Sequence, residues 1–572
     1  MRFKKAFITM AISSALIAIA GVFSTAVYLK SKNNYRPTIM NYEAYISPEG
    51  RNKINESGYK YQEFGELNEF SRAFDSAKAV AGFGSDFQIA RLIKNKKLSK
   101  IDYEVILNQR NLLKEQDFEV VKNSKNEEIR RVKKEKVLSF FRPETVEHMQ
   151  GYDQYLVDEN NKRIDLDQDG KADEMWEFMI PYYIQDKVVA YSVGDYQKSD
   201  GTKASLRASS KNLSDQEKEK GLRFDDQSWK GILNTLKNKG YSKFGWTESA
   251  RDNLLIGSSL EKNGYSGEPT EKNYSKQIDG FLKIVEQGTG SSIKDSKTNA
   301  LTTSGLALLE SLIDPNLLNE VGIIYNGDAI DGLFSSDNFA NVEDGQSIRF
   351  IRPKKNITLM EGFILSSANS KEENKKILQV IYDAVYKGAD YSVDELVEHS
   401  ASFKKVTKGK NNPQAQEQYG LVLDYSALPI LRNFDYINYS PTWKSDFEYF
   451  KRYYFNDNTS DEYYTIDEES KVSDEPESII LNENGELWST QEIKTNIADI
   501  KNLNISTQEE HATKLLLNLY ITQQKKQSVY GTFVDENTAP EDIYEVVYER
   551  IKPIDDKLRT EIISEYNSKT KG

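Results

Sequence analysis

Apolar and polar positions switch between two periods along the chain, and the switches predict alternating strands and helices. Residues 39–46 read as a strand and residues 59–64 as a second, with a short polar helix opening between them at Pro48. Leu67, Phe70 and Phe74 fall on one helical face. Residues 79–83 form a third strand, after which Ser85 is placed as the N-cap of a helix that buries Ile89, Leu92 and Ile93. This β-α-β-α-β order implies a parallel sheet with ligands beyond the carboxyl ends of its strands. The same grammar returns at residues 321–325, a strand that breaks at Gly327-Asp328 into a helix. Residues 363–365 make another strand. Ser370 and Glu373 follow as the capping box of a helix carrying Leu378, Ile381 and Val385, which Gly388 ends.

Two stretches depart from that pattern. Residues 103–178 hold a charged run, 127–136, that reads as a solvated helix face, and they finish in an acidic loop. Beyond Phe455 the chain is acidic and rich in tyrosine, with Asp457, Asp461, Asp467 and Glu468. It then regains helical periodicity at residues 515–520 and 543–551. No repeat of solenoid period is present.

The N-terminus carries Arg2, Lys4 and Lys5, an uncharged and mostly apolar run over residues 6–29, then Lys30 and Lys32. Those 24 residues can cross a hydrocarbon core of about 30 Å. The run exceeds the length usual for a cleaved secretory peptide, so a retained signal anchor is expected, with a small-residue alternative at Ser24-Thr25-Ala26. The basic flank keeps the short end inside and places Tyr35 onward outside the cell.

Composition narrows the chemistry. The 572 residues, 38% of them hydrophobic, suffice for more than one core. The absence of cysteine removes disulfides, thiolate metal sites, cysteine nucleophiles and a thioether-linked lipid. The three histidines form no HExxH pair. A net charge of −13 (76 basic against 89 acidic side chains) argues against nucleic acid as a partner. No nucleophile elbow, P-loop or zinc signature is present, and an enzyme is not expected.

The acidic loop offers carboxylates at Asp165, Asp167, Asp169 and Asp173, a glycine at Gly170 for the sharp turn, and the Lys171 carbonyl between them. Oxygen donors at that spacing suit a hard cation, and four crowded carboxylates repel unless neutralised, so a structural Ca2+ is expected. An EF-hand needs a bidentate Glu where Trp176 stands. With strand-like flanks at 155–157 and 175–182, a calcium-binding β-hairpin loop is the expected form, and an unmetallated acidic turn is the alternative.

Several segments, taken in order, resemble the spermidine/putrescine-binding proteins of bacterial polyamine ABC transporters. They are Asn41-Tyr42-Glu43-Ala44-Tyr45-Ile46-Ser47-Pro48, Phe83-Gly84-Ser85-Asp86-Phe87, Ile180-Pro181-Tyr182-Tyr183, Ala250-Arg251-Asp252 with Gly264-Tyr265-Ser266-Gly267, Tyr325-Asn326-Gly327, Met360-Glu361 before Phe363-Ile364-Leu365, and Tyr439-Ser440-Pro441-Thr442. The resemblance spans about residues 38–102 and 178–450. It implies an α/β, two-lobed periplasmic-binding-protein fold of type II, here with insertions and an N-terminal transmembrane helix. Residues 1–34 would be the anchor, 35–185 the first lobe with the insertion at 103–178, and 186–358 the second lobe. Residues 359–455 would return to the first lobe, leaving 456–572 as a C-terminal region. Residues 186–192 and 349–359 would be the crossover strands, and hinge motion would close the lobes on a ligand.

What the resemblance implies for the site is residue-specific. Tyr42, Tyr45, Ser85, Phe87, Asp252, Tyr325, Glu361 and Tyr439 match its ligand positions, giving spaced carboxylates and aromatic faces suited to ammonium groups joined by methylenes. Other duties compete: Ser85 as an N-cap, Asp252 as a charge favoured at a helix start, and Tyr45 and Phe87 as core aromatics. Asp328 is read as a cap. There are departures too: Ala44 and Ser249 stand where the family has acids, and Leu359 where it has tryptophan. The expectation is a membrane-tethered solute-binding component that delivers a polyamine to an ABC permease and its ATPase subunits. A surface adhesin or structural protein that keeps the fold without polyamine binding is the alternative.

Overall fold

A computed structural model describes residues 36–571, except 66, 262–264, 335–341, 343, 410–417, 456–458, 461–462, 468–469, 474–476, 478, 483 and 497–510. The anchor expected at residues 1–34, together with Gly264, Asp457, Asp461 and Glu468, lies outside the described residues. Among the described residues, no helix is long and apolar enough to cross a membrane.

The first three strands are Thr38–Tyr42, Lys60–Phe64 and Ala79–Ser85. The first pairs in parallel with both others, which places it between them. Later in the chain Phe244–Thr247 stands between Asn299–Thr302 and Val321–Tyr325, again all parallel. Each half thus has the order second–first–third, and each is closed by an antiparallel strand that arrives from the other half. Lys355–Ser366 closes the first against Ala79–Ser85, and Ile180–Ser192 closes the second against Val321–Tyr325. This repeated wiring makes an α/β protein of two lobes.

The two long strands are the connection. Ile180–Ser192 is buried along its whole length. Up to Asp186 it pairs with Lys355–Ser366, and from Lys187 it pairs with Val321–Tyr325. The lobe boundary therefore falls within one strand, between Asp186 and Lys187. Arg349 to Leu359 does not form the single crossover strand that its pattern suggests. Ile348–Ile351 and Lys355–Ser366 are separate strands, because Pro353 has no N–H to donate and Arg352 turns inward to Asp186.

Four further local readings are corrected. The first strand ends at Tyr42, not at residue 46, because Ala44 takes a left-handed φ of 54° and the Asn41 amide closes the turn on the Tyr45 carbonyl at 2.9 Å. The charged run 127–136 is the strand Glu128–Val132 followed by the short helix Lys134–Leu138. A turn with Asn126 at φ 64° folds that strand back on Phe118–Lys122, and the Arg130 guanidinium lies 3.5 Å from the Phe118 ring centroid. The acidic loop is not set in a hairpin, since its flanks supply an isolated bridge, Val157 to Arg163, and a 3-10 turn, Met175–Glu177. Residues 543–551 are the strands Ile543–Glu545 and Val547–Arg550, and the C-terminal helix is Asp556–Lys571.

The C-terminal region is part of the main body. Val547–Arg550 adds in parallel to Lys355–Ser366 over Lys355 to Thr358. The helix Asp556–Lys571 buries Leu558, Ile562 and Tyr566 against Ala250–Ser258 and Tyr274–Thr289. A separate antiparallel sheet is built around Ala401–Lys408 and Gln418–Leu423.

Candidate functional site

Tyr42, Ser85, Thr247 and Tyr325 are the last residues of four parallel strands, two from each lobe. Their carboxyl ends therefore converge where the lobes meet, the place a ligand takes in open α/β sheets.

Glu361 lies at the centre. It faces Ser85 across the Ala79–Ser85 pairing, and the register with Ile180–Ser192 slips between Met360 and Gly362. A bulge of this kind re-aims one side chain. The Glu361 carboxylate accepts from the Tyr45 hydroxyl at 3.2 Å and from the Gln185 amide at 2.8 Å, while Gln185 also donates to the Tyr45 oxygen at 2.8 Å. No lysine or arginine pairs with it among the described residues. Burial, reinforced by the nearby charge of Asp86, pushes its pKa up to about 8 against the two hydrogen bonds.

Aromatic rings surround this acid. Tyr45 packs edge-on to Tyr42, Tyr182, Tyr183 and Tyr439, with centroids 5.2–5.9 Å apart. Tyr42 shares a hydrogen bond of 2.6 Å with Ser85. Ser85 holds the N-cap position, yet its side chain makes no capping bond, so its hydroxyl serves the cluster instead. Burial raises the Tyr42, Tyr45, Tyr325 and Tyr439 hydroxyls above their ordinary pKa, and the charge of Glu361 adds to each. Of the four, Tyr45 touches the carboxylate, Tyr42 and Tyr439 pack on the Tyr45 ring, and Tyr325 joins Tyr439 through Asp328.

The second lobe supplies the other acids. Ser249 caps the helix Ala250–Ser258 through the Asp252 amide at 3.4 Å. The Asp252 carboxylate accepts from the Tyr325 hydroxyl at 2.6 Å and pairs with the Lys187 ammonium at 3.0 Å. Asp328 caps its helix by accepting from the Tyr325 amide at 3.2 Å, and it also accepts from the Tyr439 hydroxyl. The Tyr439 ring reaches it only because residue 327 is glycine, where a Cβ would stand 1.4 Å from Tyr439 Cδ1. Phe87 is buried below the Arg251 guanidinium, which lies 5.4 Å from its centroid.

The structure thus joins seven of the eight expected residues around Glu361 and Asp252, with Phe87 at the edge beside Arg251. It adds several that the sequence reading passed over. Gln185 orients Glu361, and Lys187 holds Asp252. Asp86 accepts from Phe87 N at 2.6 Å, Met360 N at 3.0 Å and His148 Nε2 at 2.6 Å. Burial lowers the His148 pKa, against the opposing pull of Asp86. The available signal was the polar triplet Gln185-Asp186-Lys187 inside an otherwise apolar strand.

The acidic loop lies apart from the cluster around Glu361. Carboxylate oxygens of Asp165, Asp167 and Asp173 lie within 4.8 Å of one another, close enough to share a cation. An ammonium already stands among these acids. Lys100 Nζ is 2.8 Å from Asp167, 2.7 Å from Asp173 and 2.9 Å from Glu177, and Arg131 is 2.9 Å from Asp169. Burial disfavours the Lys100 charge, but Glu177 and Asp173 outweigh it and hold its pKa above the ordinary lysine value. Asp167, Asp169 and Asp173 each thus have a basic side chain beside them.

The model of a family described as hypothetical lipoprotein (MG045 family) matches residues 2–227 and 308–552, and the chain belongs to this family. No curated protein matches the chain. Among solved structures, it is similar to the spermidine/putrescine substrate-binding protein PotD of Streptococcus pneumoniae at 13% identity, over 63% of this chain and 83% of that one, with a TM-score of 0.35. It is similar to the binding protein MotA of A. tumefaciens, in complex with glucopine, at 8% identity over 71% and 87%, with a TM-score of 0.35. Iron-bound HitA of Pseudomonas aeruginosa matches at 9% identity over 60% and 80%, with a TM-score of 0.32.

Proposed function

We propose that this member of the MG045 lipoprotein family is the solute-binding component of an ABC importer, held at the outer face of the cell membrane, and that its interlobe cleft takes an organic amine of the spermidine/putrescine class. The observation that carries the reading is Glu361: a buried carboxylate that has no cationic partner among the described residues, bonded by Tyr45, on whose ring Tyr42 and Tyr439 pack, at the meeting of the strand ends. A ligand ammonium there gains a charge-assisted hydrogen bond and cation–π contacts, the combination that recognises amines. The crossover strands give the lobes a hinge, and binding favours closure to the extent that both lobes touch the ligand. The permease and its ATPase would receive the closed form. Tethering falls to the apolar run at residues 6–29, because this sequence has no cysteine to carry the lipid that the family's description names.

Isothermal titration of the full chain with putrescine, spermidine and spermine tests the reading. Binding at roughly micromolar Kd, or about 8 kcal/mol, is expected. No heat with any of the three would reject it in favour of a protein that keeps the fold for adhesion or structure. One observation favours that second reading: Asp252 is already paired within the chain.

A further inference from the structure

Lys187 is a lysine held as a ligand amine would be. Its side chain is fully buried, and its ammonium stands 3.0 Å from the Asp252 carboxylate, 3.0 Å from the Thr247 hydroxyl and 3.8 Å from the centroid of the Tyr325 ring. Carboxylate, hydroxyl acceptor and aromatic face are the three partners that recognise an organic ammonium. Lys187 pairs with Tyr325 across adjacent strands, so the backbone itself sets that ammonium over the ring. Being part of the chain, it competes with any external amine at a high effective concentration.

The other acids of the cleft differ. Asp86 is bonded by two backbone amides and His148, and Asp328 by a backbone amide and a tyrosine hydroxyl. Among the described residues, the side chains that donate to Glu361 are a tyrosine hydroxyl and an amide, both of them neutral. We infer that Lys187 fills one of two cation positions in the cleft, so that the protein reads a single ammonium of its ligand, at Glu361, and gains nothing from a second one. The inference rests on the amine-binding reading above and narrows it to amines gripped at one end. A second ammonium drawn into the closed cleft would meet Asp252 already neutralised, and desolvation would oppose it.

Titrating wild type with butylamine and putrescine, which share a four-carbon chain and differ by one ammonium, tests this directly. Wild type should bind the two within about threefold of each other. In Lys187→Met the Asp252, Thr247 and Tyr325 position is vacated, and putrescine should gain at least about tenfold over butylamine. A wild-type preference for putrescine above about tenfold would overturn the inference while leaving the amine reading intact. Equal affinities in both proteins would overturn it as well. If neither amine binds wild type, the amine reading fails and the inference with it. Should Lys187→Met not fold, as its circular dichroism would show, the wild-type comparison decides alone, and Lys187→Met/Asp252→Asn, which removes the stranded charge together with the acid, should still bind the two amines within about threefold of each other.

Discussion

The Arg352 Nε lies 3.0 Å from both carboxylate oxygens of Asp186, and neither side chain is exposed to solvent. The same guanidinium donates to the carbonyls of Asn518 at 2.7 Å and Leu519 at 3.2 Å, at the end of the helix His511–Tyr520. The pair sits at the residue where Ile180–Ser192 passes from one lobe to the other, and it fastens the C-terminal region to that point. Arg352→Met leaves a buried carboxylate unpaired and should cost about 3–5 kcal/mol, read as a lower urea midpoint. Asp186→Leu/Arg352→Met removes both charges and should recover part of the loss. A double variant no more stable than the single would refute the assignment of the cost to the stranded charge.

Glu361 makes stability and binding depend on pH in opposite directions. Its carboxyl titrates near 8 in the folded protein against 4.5 as a free side chain. The folded state therefore holds a proton that the unfolded state has released between those values, and stability falls as pH rises through this window. Glu361→Gln abolishes the dependence, so the melting temperature of the variant relative to wild type should climb from pH 5 to pH 8. A constant difference would show that Glu361 does not titrate there.

An ammonium, by contrast, requires the ionised form. Below the folded pKa, amine affinity should drop by about tenfold per pH unit, with uptake of the amine releasing close to one proton at neutral pH. Calorimetry in buffers of different ionisation enthalpy measures that proton. Affinity independent of pH between 6 and 8, values bracketed by the window above, would remove Glu361 from the binding site.

Lys100 and a metal would compete for the same oxygens. Lys100→Met leaves Asp167, Asp173 and Glu177 facing one another. Its melting temperature should fall in calcium-free buffer, and added calcium should raise it more than it raises wild type. Equal calcium responses in the two proteins would show that the ammonium and the metal do not share these carboxylates.

Gly327→Ala tests the close approach of Tyr439. A Cβ 1.4 Å from Tyr439 Cδ1 must push the ring away from Tyr45 and Asp328. Overpacking of this kind costs about 1–3 kcal/mol, and amine binding should weaken along with it. Unchanged binding, with the ring shifted in a crystal structure, would place Tyr439 outside the site.

Local pattern made helix starts and the end of the strand at Tyr325 legible, and with them the places of Ser85 and Tyr325, whereas the strand ending at Tyr42 was read on to residue 46 and Tyr42 was reached only through the resemblance. Ser370 caps its helix through the Glu373 amide at 3.1 Å, which is one half of the expected capping box. What depends on distant partners was not legible. Val547–Arg550 is a strand because the fold leaves an edge open at Lys355, and nothing in residues 543–551 announces that edge. The run 127–136 has the composition of a solvated helix, but the turn at Asn126 and the contact of Arg130 with Phe118 decide for a hairpin. Lys187 was hidden because a lysine in an apolar strand carries no sign of which acid it will meet.

The exchange of closing strands bears on how the molecule can be taken apart. Residues 36–192 expressed alone would leave Ala79–Ser85 without the neighbour it takes from Lys355–Ser366, and they would carry the second half of Ile180–Ser192 with nothing to pair. Neither lobe is a self-sufficient fragment. A nick in the chain would be tolerated only where both pieces remain held by these two strands, so complementation of two separately made halves, and not the isolation of one, is the form in which this protein can be divided.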